Sequence, residues 1–215
     1  HAQVVDVSDR AQVRAYAASV AEHFGMVNVI INNAGVTYSG PITDVEYDDF
    51  EWLMGINFWG VVYGTKEFLP YLIESGSGHI VNLSSLFGLV SVPTQAAYNS
   101  AKFAVRGFTE SVRQDLIVAG LPVAVTCVHP GGVKTGIARN GRSTQGQDHH
   151  ANSRRFEEEL ARLTPDQAAQ IIVKAIERDK PRVLVGIDAH ILHNLAKFLG
   201  ARYQGLYAKV ASRSN

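Results

Sequence analysis

Two side chains that can exchange a proton with an organic substrate lie four residues apart near the middle of the chain. Tyr98 and Lys102 belong to the stretch 97–102, and Ser85 lies thirteen residues before Tyr98, at the end of an apolar run. On a helix, positions i and i+4 share a face, so the ammonium of Lys102 can lie beside the phenol of Tyr98. With the Ser85 hydroxyl, this set can transfer a proton to a carbonyl oxygen while a hydride arrives from another molecule.

The acid–base chemistry of this set depends on the pKa of Tyr98. An unperturbed tyrosine has a pKa of about 10, which makes it a poor acid–base group at neutral pH. A nearby positive charge favours the phenolate, and a decrease of roughly 3 pKa units corresponds to about 4 kcal/mol. General acid–base catalysis is most efficient when the pKa lies near the operating pH. We therefore expect Lys102 to lower the pKa of Tyr98. Because such Tyr–Lys pairs also arise by chance on helices, the surrounding sequence must decide whether this pair is functional.

The surrounding elements predict a parallel sheet covered by helices. Short apolar runs indicate buried strands, and between them lie longer segments with helix start and stop signals. Strands that alternate with helices in this way are typical of α/β folds, in which ligands bind beyond the carboxyl ends of the strands. Asn33, Ser85 and Pro130 all follow predicted strands. The predicted strands are 4–7, 27–31, 79–84, 123–128 and 182–185, and the predicted helices are 9–24, 46–74, 95–118 and one that starts at 164–166.

Four stretches resemble one enzyme family in residue type, order and spacing. The segment from Ile80 to Gly107 resembles the active-site region of the short-chain dehydrogenase/reductase family, with a strand ending in Ser-Ser, a Gly, a Pro and a Tyr-x-x-x-Lys motif on a helix. The others are Asn-Asn-Ala-Gly at 32–35, Ile-Asn-Phe-Trp-Gly at 56–60 and Pro-Gly-Gly-Val-Lys-Thr at 130–135. One such motif would be an ordinary turn signal. Four in order across nearly the whole chain make it similar to the classical type of this family.

The resemblance implies four catalytic residues. Tyr98 would be the general acid in carbonyl reduction and the base in alcohol oxidation, and Lys102 would lower its pKa and hold the ribose hydroxyls of the nicotinamide. Ser85 would hydrogen-bond the substrate oxygen and stabilise the developing charge. Asn57 would hold a water in a proton relay with Lys102, or alternatively would satisfy the backbone of a kinked helix. Ser84 would be a structural hydroxyl that faces the other side.

The resemblance also implies that NAD or NADP is the cofactor, which supplies the hydride while the protein supplies position and charge. The choice between the two stays open, because the family sets it mainly at its second strand and in a Gly-rich turn that this sequence does not contain. The cofactor-binding residues would be Asp6 and Val7 at the adenine, Asn33, Ala34 and Gly35 on the adenosine side, Tyr98 and Lys102 at the ribose, and Pro130, Gly131, Val133 and Thr135 at the nicotinamide.

The fold that the resemblance implies is one Rossmann-like domain over residues 1–215, with a doubly wound parallel sheet in three α/β/α layers. The family normally begins with a strand and a Thr-Gly-x-x-x-Gly-x-Gly turn that binds pyrophosphate at a helix N-terminus. Because the similarity starts at the family's third strand, we expect strands 1 and 2 to be missing from this sequence. The predicted strand at 4–7 would then lack a hydrogen-bonding neighbour, which is costly when it is buried.

The remaining segments suggest a lid, a tail and an oligomer. Residues 136–165 contain a polar stretch that would form a mobile substrate lid. The amphipathic tail at 188–210 could cover the pocket, pack on another subunit or touch a membrane surface. The resemblance places a homodimer or homotetramer interface on the helices at 46–74 and 95–118. A moderately apolar alcohol or ketone is the expected substrate, because the pocket mouth would be bordered by Phe87, Leu89, Val90, Val92 and Gln95.

Composition excludes several other classes of function. The formal net charge is zero and the pI is about 7.3, so no broad attraction to nucleic acid or anionic membranes is expected. No apolar run approaches the ~20 residues of a membrane span. The single cysteine, Cys127, lies in an apolar strand and predicts a reduced thiol in a cytoplasmic protein. We predict no metal site, because His149–His150 lies in a polar loop and the His190/His193 pair lacks further ligands.

The sequence therefore predicts an NAD(P)-dependent oxidoreductase that interconverts a secondary alcohol and a ketone. One alternative is a truncated, catalytically impaired chain that acts as a binding or oligomerisation module. Another is an epimerase or dehydratase of the extended branch, which shares the Tyr-x-x-x-Lys motif. The Asn-Asn-Ala-Gly stretch and the short C-terminal region argue against that last alternative.

Overall fold

The computed structural model describes residues 1–144, 154, 158 and 161–212. Within these residues, the strands are β1 Val29–Asn32, β2 Tyr38–Ser39, β3 Gly78–Leu83, β4 Val123–Pro130, β5 Arg142–Ser143 and β6 Arg182–Val185. The α-helices are α1 Arg10–Phe24, α2 Tyr47–Met54, α3 Gly60–Glu74, α4 Ala96–Val118, α5 Pro165–Ile176, α6 Ile187–Leu199 and α7 Tyr203–Ala211. A π-helical turn, Gly55–Trp59, joins α2 to α3, and short 3₁₀ turns lie at Ile42–Asp44, Leu86–Gly88 and Gly200–Arg202.

Four strands form a parallel sheet in the order β1-β3-β4-β6, and β2 pairs separately with β5. The register sets Asn32 beside Asn82, and Asn82 beside Cys127. Since all four strands of the main sheet run in the same direction, their carboxyl ends lie along one edge. This edge carries the residues that follow β1, β3 and β4, where ligands of such sheets bind.

The two faces of the sheet are covered by different helices. Ile80 on β3 packs in a cluster that contains residues of α1, α3 and α4, whereas its neighbour Val81 packs in a cluster with residues of α5. Successive side chains on a strand point to opposite faces, so the sheet lies between two helical layers. The central strand β3 is buried along its whole length, as expected for a parallel sheet covered on both sides. The predicted three-layer α/β/α arrangement is therefore confirmed.

Helix boundaries follow the local capping signals. Asp9 accepts hydrogen bonds from the backbone N–H groups of Ala11 (2.8 Å) and Gln12 (3.2 Å), and so caps α1. Gly25 ends that helix with φ +74°, a conformation that favours glycine. Thr164 and Gln167 form a reciprocal capping box at the start of α5. These ends lie within one residue of the predicted positions, because capping depends only on nearby residues.

The predicted strand at 4–7 is wrong. These residues have no regular structure, and the Val4 side chain is 98% exposed. Instead of pairing, Asp6 accepts hydrogen bonds from the backbone N–H (2.9 Å) and hydroxyl (2.7 Å) of Ser8. The physical reason is that a strand needs a neighbour, and none of the described strands lies beside this segment. β1 is accordingly an edge strand, with Ile31 48% exposed.

The C-terminal helices α6 and α7 lie on the 3₁₀ turn that follows β3. Ala189 and Ala196 of α6 pack with Leu86 and Val90. In the part of the chain that the structure describes, no helix combines the length and the apolarity needed to cross a membrane. The segment predicted as a lid, 136–165, contains β5, but much of it, including His149 and His150, lies outside the described residues.

Candidate active site

The first two turns of α4 bring Tyr98 and Lys102 together. Both side chains are buried, and the Lys102 Nζ atom lies 5.6 Å from the centroid of the Tyr98 ring. Phe87, from the 3₁₀ turn after β3, meets the Tyr98 ring edge to face at a centroid distance of 6.2 Å. As the i, i+4 spacing predicts, the Tyr98 and Lys102 side chains therefore lie side by side. The Phe87 ring shields one side of Tyr98 from water.

The two serines after β3 point in different directions. The Ser85 hydroxyl accepts a hydrogen bond from the backbone N–H of Phe87 at 3.1 Å, and its interaction with the Tyr98 phenol favours the phenolate. The Ser84 hydroxyl instead donates to the backbone carbonyl of Lys102 at 2.8 Å and is buried. Gly88 passes so close to Ser84 that a Cβ atom there would overlap the hydroxyl. Ser85 therefore faces the phenol, whereas Ser84 fastens the end of β3 to α4.

Burial controls the electrostatics of the pair. The pKa of Tyr98 is raised above its usual value by the loss of solvent, which the hydrogen bond from Ser85 offsets only in part. Burial also lowers the pKa of Lys102 to about 8, and its Nζ donates to the Leu83 carbonyl at 2.9 Å. Burial is thus the main influence on the pKa of Tyr98 here, and the Lys102 ammonium is directed at the Leu83 carbonyl. That Lys102 lowers the pKa of Tyr98 stays a prediction.

Asn57 lies in the π-helical turn between α2 and α3 and is wholly buried. Its carboxamide accepts the backbone N–H of Val36 at 2.8 Å and donates to the Val36 carbonyl at 2.8 Å. It thus holds the loop after β1 rather than the backbone of its own kinked helix. A Cβ atom on Gly35 would lie 3.3 Å from the Asn57 Oδ1 atom and 3.6 Å from the Lys102 Nζ atom. Glycine at this position therefore leaves space beside both polar groups.

The residues predicted to bind the cofactor lie at two strand ends and at the N-terminal segment. Asn33 and Ala34 follow β1 and are exposed, whereas Gly35 is half-buried. At the N-terminal segment, Val7 packs closely against Gly60 of α3, and Asp6 caps the following turn. The structure thus places the adenosine-side candidates around the outer, open side of β1.

The predicted nicotinamide-side residues lie at the end of β4 and in the loop that follows it. Pro130 and Gly131 are half-buried and Thr135 is exposed. Val133 is buried, its side chain belongs to the core cluster with α5, and its backbone pairs with Leu163. A ligand at this loop can therefore meet the backbone of Val133 but not its side chain.

His129 is a site residue that the sequence interpretation missed. It is fully buried just before Pro130, and its Nδ1 atom lies 2.9 Å from the Ser85 carbonyl oxygen. Burial lowers its pKa to about 4, so the ring is neutral and Nδ1–H donates to that carbonyl. Its Nε2 atom has no hydrogen-bond partner among the described residues. The sequence signal for this site residue is a histidine directly after the mostly apolar predicted strand at 123–128.

The predicted pocket-mouth residues have diverse environments. Phe87 contacts Tyr98, Val90 is fully buried against α6, and Gln95 accepts a hydrogen bond from the Thr37 hydroxyl at 3.3 Å. A surface cavity of about 530 Å³ lies beside α4, but its lining includes neither Tyr98 nor Ser85. This cavity is therefore a neighbour of the proton-transfer set and is not centred on it.

Comparison with known proteins identifies the family. The family described as short chain dehydrogenase matches residues 1–146. The chain is 50% identical over 204 residues to SadH of Mycobacterium tuberculosis, a protein named as an oxidoreductase, and this match covers 95% of the chain and 74% of SadH.

Solved structures agree with that match. A short chain dehydrogenase/reductase from Burkholderia phymatum, in complex with NAD, is 30% identical with a TM-score of 0.83, and the match covers 93% of this chain and 75% of that one. A metagenomic short-chain oxidoreductase in complex with NADP is 26% identical with a TM-score of 0.66, covering 86% of this chain and 73% of that one. The chain belongs to the short-chain dehydrogenase family of oxidoreductases.

Proposed function

We propose that the protein interconverts a secondary alcohol and a ketone by hydride transfer with NAD or NADP, with Tyr98 as the general acid and base. The observation that carries this proposal is the buried contact set at the carboxyl edge of the sheet. There the Ser85 hydroxyl interacts with the Tyr98 phenol, and the Lys102 side chain lies beside the same ring. A proton donor, a second hydroxyl for the substrate oxygen and a cation thus converge at one place on this edge.

In the reducing direction, Tyr98 donates its proton to the carbonyl oxygen. The phenol is protonated at neutral pH, as a general acid requires, although burial raises its pKa and so makes it a weaker acid. Ser85 hydrogen-bonds the same oxygen as negative charge develops on it. The nicotinamide, when bound, supplies the hydride that reaches the carbonyl carbon. The carbonyl thereby gains a hydride and a proton and becomes an alcohol, while the cofactor is oxidised. Lys102 and Asn57 then return a proton to Tyr98 through an ordered water.

The chemistry of the residues fits a nicotinamide cofactor. An ammonium carries three donors, and Lys102 directs one of them at the Leu83 carbonyl, so others can bind ribose hydroxyls. Gly35 leaves room beside that ammonium, and Pro130 and Gly131, which are only half-buried, lie at the end of β4. Similar proteins with NAD and with NADP support a dinucleotide. The preference between the two dinucleotides stays undetermined.

The second candidate is a catalytically impaired binding or oligomerisation module. The exposed aromatic surface of Trp59, which stacks on Tyr63, favours it. A chain of this kind would retain the Tyr98 set without holding a dinucleotide. Affinity for NADH or NADPH therefore separates the two candidates.

The test combines cofactor titration with removal of one hydroxyl. We expect NADH or NADPH to bind with micromolar affinity in a fluorescence titration, with intact mass measured on the same sample. Tyr98→Phe should lower ketone reduction by at least about 100-fold, because general acid catalysis contributes on this scale, while dinucleotide affinity stays nearly unchanged.

The control for that variant is Tyr47→Phe, which removes an exposed phenol hydroxyl at the start of α2, outside the site. It should leave turnover unchanged. Appreciable reduction by Tyr98→Phe would refute the assigned role of Tyr98. Absence of binding of both dinucleotides to the wild-type protein would instead favour the binding-module candidate.

We further propose a homodimer or homotetramer in the cytoplasm. An aromatic surface on α3 and its preceding turn, with Trp59 47% exposed and stacked on Tyr63, supports the association of copies. The single cysteine, Cys127, is a buried free thiol whose pKa burial raises to about 12, which is compatible with a reducing compartment. Mass photometry or analytical ultracentrifugation would give the copy number.

A further inference from the structure

The turn at the end of β4, Pro130–Gly132, is held by backbone hydrogen bonds to two other segments of the chain. The Gly131 N–H donates to the Val185 carbonyl at 2.9 Å, and the Gly132 carbonyl accepts the N–H groups of Arg162 (3.1 Å) and Leu163 (3.3 Å). These contacts involve backbone atoms only. The turn is also contacted by a side chain from a distant part of the sequence.

That side chain is Asp188, in the first turn of α6. Its Oδ2 atom accepts the backbone N–H of Gly132 at 2.7 Å, across 56 residues of sequence. The distance is that of a charge-assisted hydrogen bond, which is about twice as strong as a neutral one. The turn predicted to face the nicotinamide is thus attached to the start of the C-terminal helical segment.

Two glycines make room for this carboxylate. A Cβ atom on Gly131 or on Gly186 would overlap the carboxylate oxygens of Asp188. Gly186 also has φ +106°, a backbone conformation that L-residues with side chains rarely adopt. The carboxylate is therefore enclosed by the backbone of both turns and has little freedom to leave its position.

The helix that carries Asp188 is itself attached to the segment after Ser85. Its inner face packs on Leu86 and Val90, and the Tyr203 hydroxyl, just beyond the helix, accepts the backbone N–H of Ser91 at 2.9 Å. The segment formed by α6 and the start of α7 therefore contacts both the turn at the end of β4 and the segment that follows Ser85.

We propose that Asp188 is a positioning residue, which fixes the Gly131–Gly132 turn in the conformation that receives the nicotinamide cofactor. This inference rests on the proposed function, because it assigns the turn to dinucleotide binding. The competing explanation is that Asp188 only complements the dipole at the start of α6. The two explanations differ at one atom, the Gly132 amide hydrogen.

The test compares Asp188→Ala with Asp188→Asn. Asp166→Ala serves as the matched control, because Asp166 lies exposed in the first turn of another helix, α5. Amide hydrogen exchange of Gly132 is measured by NMR on the ligand-free protein, with the Cys127 amide, which donates to the Pro181 carbonyl at 3.0 Å, as internal reference. Dissociation constants for NADH and NADPH are then measured by fluorescence titration.

We expect Asp188→Ala to speed Gly132 exchange and to weaken dinucleotide binding, each by about tenfold or more, because a hydrogen bond to a charged group is lost. Asp188→Asn keeps an oxygen acceptor and should recover most of both properties. Asp166→Ala should change neither property. Cys127 exchange should stay at its wild-type rate in all three variants.

Three results would overturn the inference. The first is an unchanged rate of Gly132 exchange in Asp188→Ala. The second is an equal acceleration of Cys127 exchange in that variant, which would indicate global loosening. The third is faster Gly132 exchange in that variant with unchanged dinucleotide affinity. Failure of the wild-type protein to bind either dinucleotide would be a separate result. It would refute the proposed function and, with it, the cofactor role of the turn, while Gly132 exchange would still decide whether the anchor exists.

Discussion

Two buried polar regions lie within a few residues of each other on β3 and differ in how their hydrogen-bonding groups are used. In the first, which we term the sheet cluster, Asn82 binds Asn32, Thr65 and Thr109. The Asn32 amide donates to Asn82 Oδ1 at 2.8 Å, and the Asn82 amide donates to the Thr109 hydroxyl at 3.1 Å. This cluster joins β1, α3 and α4 through groups that satisfy one another.

The second region is the candidate active site, where polar groups are equally buried but are not all paired. The Nε2 atom of His129 has no partner among the described residues. Lys102 carries a cation at a site where burial lowers its pKa to about 8, and Tyr98 is a buried phenol with a raised pKa. Burying a polar or charged group without a full set of hydrogen-bond partners lowers the stability of the folded protein. The comparison indicates that paired polar groups hold the fold, whereas incompletely paired ones are available to ligands.

The largest expected effect is a difference between Ser85 and Ser84, the two serines that follow β3. Ser85→Ala should lower turnover by about 100-fold or more, because a donor to the developing oxyanion is lost, with little change in dinucleotide affinity. Ser84→Ala should lower the free energy of unfolding by about 1 kcal/mol, since it removes the hydrogen bond to the Lys102 carbonyl. Steady-state kinetics and urea unfolding of both variants measure this contrast. Equal losses of turnover would show that the two hydroxyls act alike.

The next prediction concerns the sheet cluster. Asn82→Ala should lower the free energy of unfolding by about 3 kcal/mol, because it removes a wholly buried carboxamide and one hydrogen-bond partner each of Asn32 and Thr109. The control is Asn28→Ala, whose amide donates to the Ser77 hydroxyl at 3.2 Å in an exposed position. That variant should lose less than about 1 kcal/mol. Similar values for both variants would mean that the cluster contributes nothing beyond an ordinary surface contact.

The smallest expected effect is a pH dependence from His129. Its pKa is about 4 in the folded protein and about 6.5 when unfolded, so between these values the unfolded state binds more protons. Stability should therefore fall as the pH decreases through this window, by roughly 2 kcal/mol between pH 6.5 and 4.5. His129→Asn keeps an N–H donor for the Ser85 carbonyl but does not titrate.

Urea unfolding of the wild type and His129→Asn at pH 7 and pH 4.5 measures this contribution. The wild type should lose roughly 2 kcal/mol more than the variant over that interval. The difference between the two proteins removes the contribution of carboxylates that titrate in both. Identical losses would show that the histidine is hydrated or charged in the folded state.

Local sequence patterns were sufficient to predict most of the helices and strands and the residue types of the site. Apolar runs and capping residues act over a few positions, so the strand β3 and the ends of α1 were predictable. The four-residue spacing of Tyr98 and Lys102 on a helix fixes their common face in the same way. Motif order was sufficient to identify the family before any contact was known.

Properties that depend on partners far away in the sequence could not be predicted in this way. The segment 4–7 has strand-like residues but lies beside no described strand, so it does not pair. The direction of the Tyr98 pKa follows from burial, which local spacing does not reveal. The hydrogen bonds of His129 to Ser85 and of Asp188 to Gly132 join residues 44 and 56 positions apart. Chain folding, rather than sequence proximity, brings such groups together, and for that reason their roles emerge only from the three-dimensional structure.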